Sequence, residues 1–218
     1  MKLYSYFRSS ASFRVRIALN LKGLPYDYAP VHLVRHGGEQ FSPEFRKLNP
    51  GGLVPVLIDD GNTLNQSLAI IEYLDETHPE PPLLPPDPAG RARVRALALA
   101  ISCEIHPLNN VRVLRYLKNT FGADEEARKV WSRHWVETGF AALETELTGS
   151  PLTGKFCHGD TPTLADLCLV PQVFNGQRYD SDFSAMPTLM GVFERCMELD
   201  AFRNAGWAAQ PDCEEVNS

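Results

Sequence analysis

A chain of 218 residues with 44% apolar and 22% charged side chains can bury one large core or two modest ones and is too apolar to stay disordered. Its formal net charge of −6 excludes a global basic field for nucleic acid, although local arginine clusters can still take small anions. No stretch approaches the roughly 20 apolar residues that cross a bilayer, so no membrane partner is expected.

Lys2–Tyr6 reads as a short β-prone run, and Met1–Arg8 lacks the apolar run and cleavage site of a signal peptide. Phe13–Lys22 carries Val15, Ile17, Ala18, Leu19 and Leu21, with Gly23 as a C-terminal stop, which predicts a helix. Tyr26–Leu33 reads as a second strand. Val54–Ile58 and Thr63–Asn65 flank the turn Asp59-Asp60-Gly61-Asn62 and predict a hairpin. Ser67–Thr77 follows as a helix. The order strand, helix, strand, hairpin, helix predicts a small α/β sandwich with a mixed sheet.

Residues 79–88 hold six prolines in ten positions, which rules out helix or central strand and predicts a linker. Leu83 and Leu84 within it suggest a segment lying against a surface. Beyond it the pattern is helical throughout. Val94, Leu97, Ile101, Ile105 and Leu108 recur at spacings of three and four, and Pro107 should kink that helix. Val136, Phe140, Leu143 and Leu147 mark a second helix. Thr163-Leu164-Ala165-Asp166 opens a third with a capping box in its Asp form. The domains expected are therefore 1–80, a linker over 81–88, and an all-helical domain over 89–218.

The five cysteines, Cys103, Cys157, Cys168, Cys196 and Cys213, have no C-x-x-C spacing. Reduced thiols in the cytoplasm fit better than a disulfide framework, and no Cys or His pair has zinc-finger spacing, so no metal is expected. The loop Arg8-Ser9-Ser10-Ala11-Ser12-Phe13-Arg14 leads into the first helix, whose N-terminus favours an anion. Only hydroxyls stand there, so a reactive sulfur at that point has to arrive with a ligand. Ser9, Ser10 and Ser12 read equally as helix caps. Val54-Pro55 reads as plain turn chemistry or as a strand entry whose Val54 backbone pairs with an extended peptide. Gln66-Ser67 reads as an N-cap or as a carboxylate site. Arg8, Arg112, Arg178 and His106 matter if they converge in space. Arg14 and Arg16 read as surface or salt-bridging residues.

The run Y-S-Y-F-R-S-S-A-S-F-R-V-R-I-A-L (4–19) is very close to a family fingerprint S-S-C-x-x-R-V-R-I-A-L. N-P-G-G-L-V-P-V-L (49–57), Q-S-L-A-I-I-E-Y-L (66–74), I-H-P-L-N-N (105–110) and T-L-A-D-L-C-L-V-P-Q (163–172) extend the agreement over nearly the whole chain. On these motifs the sequence resembles the zeta class of glutathione transferases, the maleylacetoacetate and maleylpyruvate isomerases. The resemblance implies a fold of class α/β plus all-α, with an N-terminal thioredoxin-like domain, a C-terminal helical bundle and a homodimer. It implies glutathione as cofactor and a small dicarboxylate as substrate. By position, Ser9 is the catalytic hydroxyl, with Ser10 and Ser12 in the same turn. Val54 pairs with the cysteinyl backbone of glutathione, and Gln66 and Ser67 hold its γ-glutamyl carboxylate. Gln40, His106, Asn110, Val111 and Arg112 fall at further glutathione contacts, and Arg8, Arg112 and Arg178 resemble the arginines that receive substrate carboxylates.

One departure is plain: Ala11 stands where the fingerprint has Cys, which removes a second thiol from the turn. The reaction implied is cis–trans isomerisation of maleylacetoacetate to fumarylacetoacetate in tyrosine and phenylalanine breakdown, the branch to which the Tyr4–Ser10 turn is closer. Its rivals are maleylpyruvate isomerisation in gentisate degradation, glutathione conjugation to a halo-acid, and a non-catalytic binding module.

Overall fold

The computed structural model describes residues 1–213, which divide by their contacts into two units, 1–82 with the chain from Leu199 onward, and 83–198. The helical domain expected over 89–218 extends beyond the described residues at its C-terminal end, and residues 199–213 associate with the first unit instead.

In the first unit, β1 (Lys2–Ser5), β2 (Asp27–Pro30), β3 (Val56–Asp59) and β4 (Asn62–Asn65) form a sheet in the order β2-β1-β3-β4. The β1–β2 pair is parallel, as the intervening helix α1 (Ser10–Leu21) requires, and the other two pairs are antiparallel. Tyr4 and Val56 are partners in register and belong to an apolar cluster with Tyr6, Phe7, Val31, Phe45, Val54, Trp207 and Cys213. Leu3 and Leu57, also partners, are fully buried and point to the opposite face because strand side chains alternate. The hairpin turns through Asp60 and Gly61, both at positive φ. Helix α3 (Ser67–Thr77) packs on α1.

Three local expectations change. The first helix begins at Ser10, not Phe13, because Ser9 caps it. The second strand is shorter than Tyr26–Leu33 and ends at Pro30 opposite Ser5, the last residue of β1; β2 lies at the sheet edge, where a proline facing outward costs the ladder nothing. A helix not foreseen, α2 (Pro43–Leu48), is capped by Ser42 with proline at its start, and its Phe45 lies 6.1 Å from Tyr4, ring to ring.

In the second unit, α4 (Pro88–Leu99) passes into a π turn over Ala100–Ile105 and a 3-10 turn over His106–Asn109. The regular helix is thus lost ahead of Pro107, whose ring clashes with the preceding turn. The second helix, α6 (Glu125–Thr148), crosses the π turn at Gly139, where a Cβ would lie 2.4 Å from Ile105. Around these pack α5 (Val111–Phe121), α7 (Leu164–Arg178) and α8 (Pro187–Met197); a single turn of helix, α9 (Asp200–Arg203), lies in the first unit. Val136, Phe140, Leu143 and Leu147 of α6 are all buried, as their spacing predicts. Leu83 and Leu84 are buried too, and the Leu83 carbonyl accepts from Leu164 N at 2.9 Å.

Helix α7 is almost wholly buried, so the donors at its N-terminus need an internal acceptor. Asp166 is that acceptor: its carboxylate takes bonds from Thr163 N (2.7 Å), Thr163 Oγ1 (2.8 Å) and Cys157 N (2.8 Å). Asp166→Ala strands these donors in the interior and should cost about 3–5 kcal/mol of stability in urea unfolding. A loss below about 1 kcal/mol would contradict this account of the α7 N-terminus.

Candidate active site

The turn before α1 is shaped by an arginine read from sequence as a surface or salt-bridging residue. Arg16 is fully buried. It donates to Ser5 Oγ (3.0 Å), to the carbonyls of Tyr6 (3.3 Å) and Phe7 (3.1 Å), and through Nε to the Ala205 carbonyl (2.8 Å). Burial lowers its pKa to about 10, so it is cationic at neutral pH. Four uncharged acceptors hold the guanidinium inside, which is why the surface assignment fails. Asp212 adds a second tie, accepting from Phe7 N (3.1 Å) and Tyr28 Oη (2.7 Å). Burial raises the Tyr28 phenol well above its usual range.

With the Tyr6–Phe7 segment held in this way, Ser9 becomes the N-cap of α1. Its hydroxyl accepts from Ser12 N at 3.2 Å and its carbonyl accepts from Phe13 N at 2.8 Å. No acidic side chain occupies the first turn, so the partial positive charge of the helix end is left for a ligand. Ser10 and Ser12 are buried, and Ser12 Oγ has no hydrogen-bond partner among the described residues. Arg8 is half-buried, its guanidinium 5.1 Å from the Phe7 ring centroid.

A second helix start lies beside the first. The cap position of α3 is Gln66, not Ser67 as read from sequence, and among the described residues no side chain caps it. Gln66 has φ 68°, a backbone region costly for a side chain with a Cβ. Ser67 is the first helical residue, buried, and its hydroxyl accepts from Arg14 Nη1 at 3.2 Å. Arg14, also read from sequence as a surface or salt-bridging residue, is 2% exposed and links the early turns of α1 and α3. An arginine in the apolar run Phe13–Leu19 was the only sign of this.

Val54 precedes the cis-Pro55 bond, just outside the β1–β3 ladder. Gln40 is buried and donates to the Leu33 carbonyl (3.3 Å), while its Oε1 has no partner among the described residues. Gly38, at φ 113°, makes room for that amide: a Cβ there would lie 2.6 Å from Gln40 Nε2. The structure thus gathers Ser9, Ser10 and Ser12 in one helix turn, and Arg14 links that helix to the start of α3 at Ser67.

The remaining candidates are all in the second unit. His106, Asn110, Val111 and Arg112 share one short stretch. His106 opens the 3-10 turn, and Asn110 caps α5 with Oδ1 accepting from Arg112 N at 3.0 Å. Arg112 is exposed near the start of α5. Arg178 is the last residue of α7, also exposed, 6.0 Å from the Tyr179 ring centroid. Among the described residues no cluster of three or more His, Cys, Asp or Glu could hold a metal ion, and no helix is long and apolar enough to cross a membrane.

Residues 3–82 match the family model of the glutathione S-transferase N-terminal domain, and residues 113–200 match that of the C-terminal domain. The chain is 52% identical over 210 residues to a probable maleylacetoacetate isomerase of Vibrio cholerae, covering 96% of this chain and 97% of the relative. Among solved structures, it is similar to the holo structure of a maleylpyruvate isomerase, a bacterial zeta-class glutathione S-transferase, with TM-score 0.95, 52% identity, and 97% and 99% of the two chains covered. It is also similar to a maleylacetoacetate isomerase from Methylobacterium extorquens AM1 with bound malonate and glutathione, with TM-score 0.93, 42% identity, and 97% and 98% covered.

The two serines of the α1 turn should separate on mutation. Ser9→Ala removes a cap and should cost about 1 kcal/mol, whereas Ser12→Ala removes a buried hydroxyl with no partner among the described residues and should be neutral or stabilising by about 1 kcal/mol. Thermal unfolding of the ligand-free protein reads both; a Ser12→Ala loss above about 2 kcal/mol would mean that its hydroxyl is bonded.

Proposed function

The chain belongs to the zeta class of the glutathione S-transferases, and from that membership we propose that it is a glutathione-dependent cis–trans isomerase of a small unsaturated dicarboxylate, maleylacetoacetate being the favoured substrate. The observation that carries the reading is the α1 start: a hydroxyl cap at Ser9, no acid in the first turn, and Ala11 where a protein thiol could have stood.

The residues present suit the tripeptide. The α3 start has no side-chain cap and no acid in its first turn, and Arg14 lies against Ser67. An incoming carboxylate there meets backbone N–H groups and a hydroxyl. In this proposal Gln66 and Ser67 hold the γ-glutamyl carboxylate, Val54 pairs with the cysteinyl backbone, and Gln40, His106, Asn110, Val111 and Arg112 make further contacts. When bound, glutathione supplies a thiol whose reversible addition to a conjugated cis double bond leaves a single bond free to rotate.

Ser9 Oγ, with Ser10 beside it and the α1 dipole behind it, stabilises negative charge at that sulfur and keeps the thiol ionised at neutral pH. Arg8, Arg112 and Arg178 take the carboxylates of the substrate, bidentate where geometry allows, and offset the charge that develops on its conjugated carbonyl. Identity to a probable maleylacetoacetate isomerase and to a maleylpyruvate isomerase is equal, at 52%, so the second diacid is the companion reading. The proposal places the enzyme in the cytoplasm as a homodimer; Leu99, exposed on α4, is an apolar side chain that a second copy could cover.

Incubation with each cis-enone diacid and substoichiometric glutathione should give many turnovers of trans product per thiol. Stoichiometric thiol consumption would indicate conjugation instead, and no reaction with either diacid would leave a binding module. In the purified enzyme, Arg8→Ala should lower kcat/KM by about 10–150-fold, the worth of one charge-assisted hydrogen bond; near-normal turnover would remove Arg8 from the site. The pKa of the bound glutathione thiol, followed by thiolate absorbance, should rise in Ser9→Ala, and an unchanged value would reduce Ser9 to a helix cap.

A further inference from the structure

Resting on the reading that Arg112 and Arg178 each take a carboxylate, we infer that one turn of α6, Trp131–Arg133, together with Gln172, sets the spacing between those two arginines and thereby selects the length of diacid.

The two arginines are carried by different elements, and both elements are fastened to the same place. The 3-10 turn that ends immediately before Asn110 and Arg112 is held from α6 twice: Trp131 Nε1 donates to the Leu108 carbonyl at 2.8 Å, and Asn109 Nδ2 donates to the Ser132 carbonyl at 3.2 Å. The next residue of α6 reaches the other element. Arg133 Nε donates to the Tyr179 carbonyl at 3.2 Å, one residue beyond Arg178. Successive helix residues point about 100° apart, so a single turn of α6 can face both segments at once.

Gln172 completes the link from within α7. It is fully buried, and its Nε2 donates to Asn109 Oδ1 (3.3 Å) and Asn175 Oδ1 (3.2 Å). Asn109, 4% exposed, therefore bonds to α6 and α7 at once. Buried amides resist displacement because a lost partner leaves a polar group unsatisfied in the interior.

The end of α7 is closed by the turn after it, with the Gly176 carbonyl accepting from Tyr179 N (2.9 Å) and Ser181 N (3.1 Å), the Gln177 carbonyl from Asp180 N (3.1 Å), and Asp180 at positive φ. The segment after α7 has a further tie to α6, Asp182 N donating to Glu137 Oε1 at 2.8 Å, but among the described residues only the Arg133 bond reaches the residue next to Arg178. Arginine side chains are long and adapt to a ligand, but their anchoring Cα atoms set the range over which two of them can both stay bidentate. Trp131, Arg133, Asn109 and Gln172 are thus positioning residues; none is placed against substrate.

The test is a series of saturated diacids, malonate, succinate, glutarate and adipate, as inhibitors competitive with the enone under saturating glutathione. The wild-type enzyme should prefer one length, with its Ki at least about tenfold below those of its neighbours, because a misfitting diacid loses one charge-assisted contact. In Arg133→Met and Gln172→Met this preference should fall to about threefold or less, with kcat changed less than KM and the Kd of glutathione nearly unaltered. Arg133→Lys, which keeps a donor for the Tyr179 carbonyl, should retain the wild-type profile. If Gln172→Met fails to fold, Arg133→Met, at a half-buried position, carries the comparison alone. A folded Arg133→Met enzyme with an unchanged length profile would overturn the inference, as would a wild-type enzyme indifferent to length. Arg112→Ala and Arg178→Ala act as the control: if neither weakens any diacid, the reading beneath the inference fails, whereas if both do while Arg133→Met keeps its profile, only the inference fails.

Discussion

The first unit depends on a positive charge enclosed among uncharged acceptors. Moving a guanidinium out of water costs several kcal/mol even after relaxation, and Arg16 meets that cost with a hydroxyl and three backbone carbonyls. Hydrogen bonds from a charged donor contribute roughly 1.5–3 kcal/mol each, enough in sum to keep the ion inside, although burial still lowers its pKa. The bonds come from β1, from the two residues after it, and from Ala205 near the other end of the chain. One side chain therefore fastens the segment leading to Ser9 and recruits the C-terminal segment into the N-terminal unit.

The same logic runs through the proposed chemistry. In the first unit, anion binding relies on helix starts left without acids, at Ser9 and at Gln66, where the local positive potential is built into the backbone. Arg14 reinforces one of them from the interior. In the second unit, positive charge comes from long side chains at the edges of helices, and the work of the fold is to fix where those edges are. Buried amides, an indole and the half-buried Arg133 do this with backbone carbonyls and amides as partners, in place of ion pairs.

Much of the architecture was legible because it follows from local rules. Pattern periodicity located α6 and its buried stripe, proline explained the break after α4, and the Thr163–Asp166 signature marked the start of α7. The hairpin was announced by its Asp-Gly turn. Short elements were harder: the six residues of α2 carry one buried side chain, Phe45, too few for a periodic signal, although Ser42-Pro43 was a start signal in plain view. The strand after α1 contracted to the four residues that face the four of β1.

The sequence by itself determined the family, the two kinds of domain, and the serines, arginines and Gln-Ser pair around which a thiol chemistry can be proposed, since these rest on residue identity and on spacing along the chain. Only the tertiary structure decided that Arg14 and Arg16 lie inside, that Gln66 and not Ser67 is the cap of α3, that residues 199–213 return to the first unit, and that α6 holds the segments bearing Arg112 and Arg178. All but the α3 cap, which is a matter of the backbone at Gln66, are contacts between positions far apart in sequence. The burial of a charge depends on acceptors supplied from elsewhere in the fold, and no local pattern encodes where they will be.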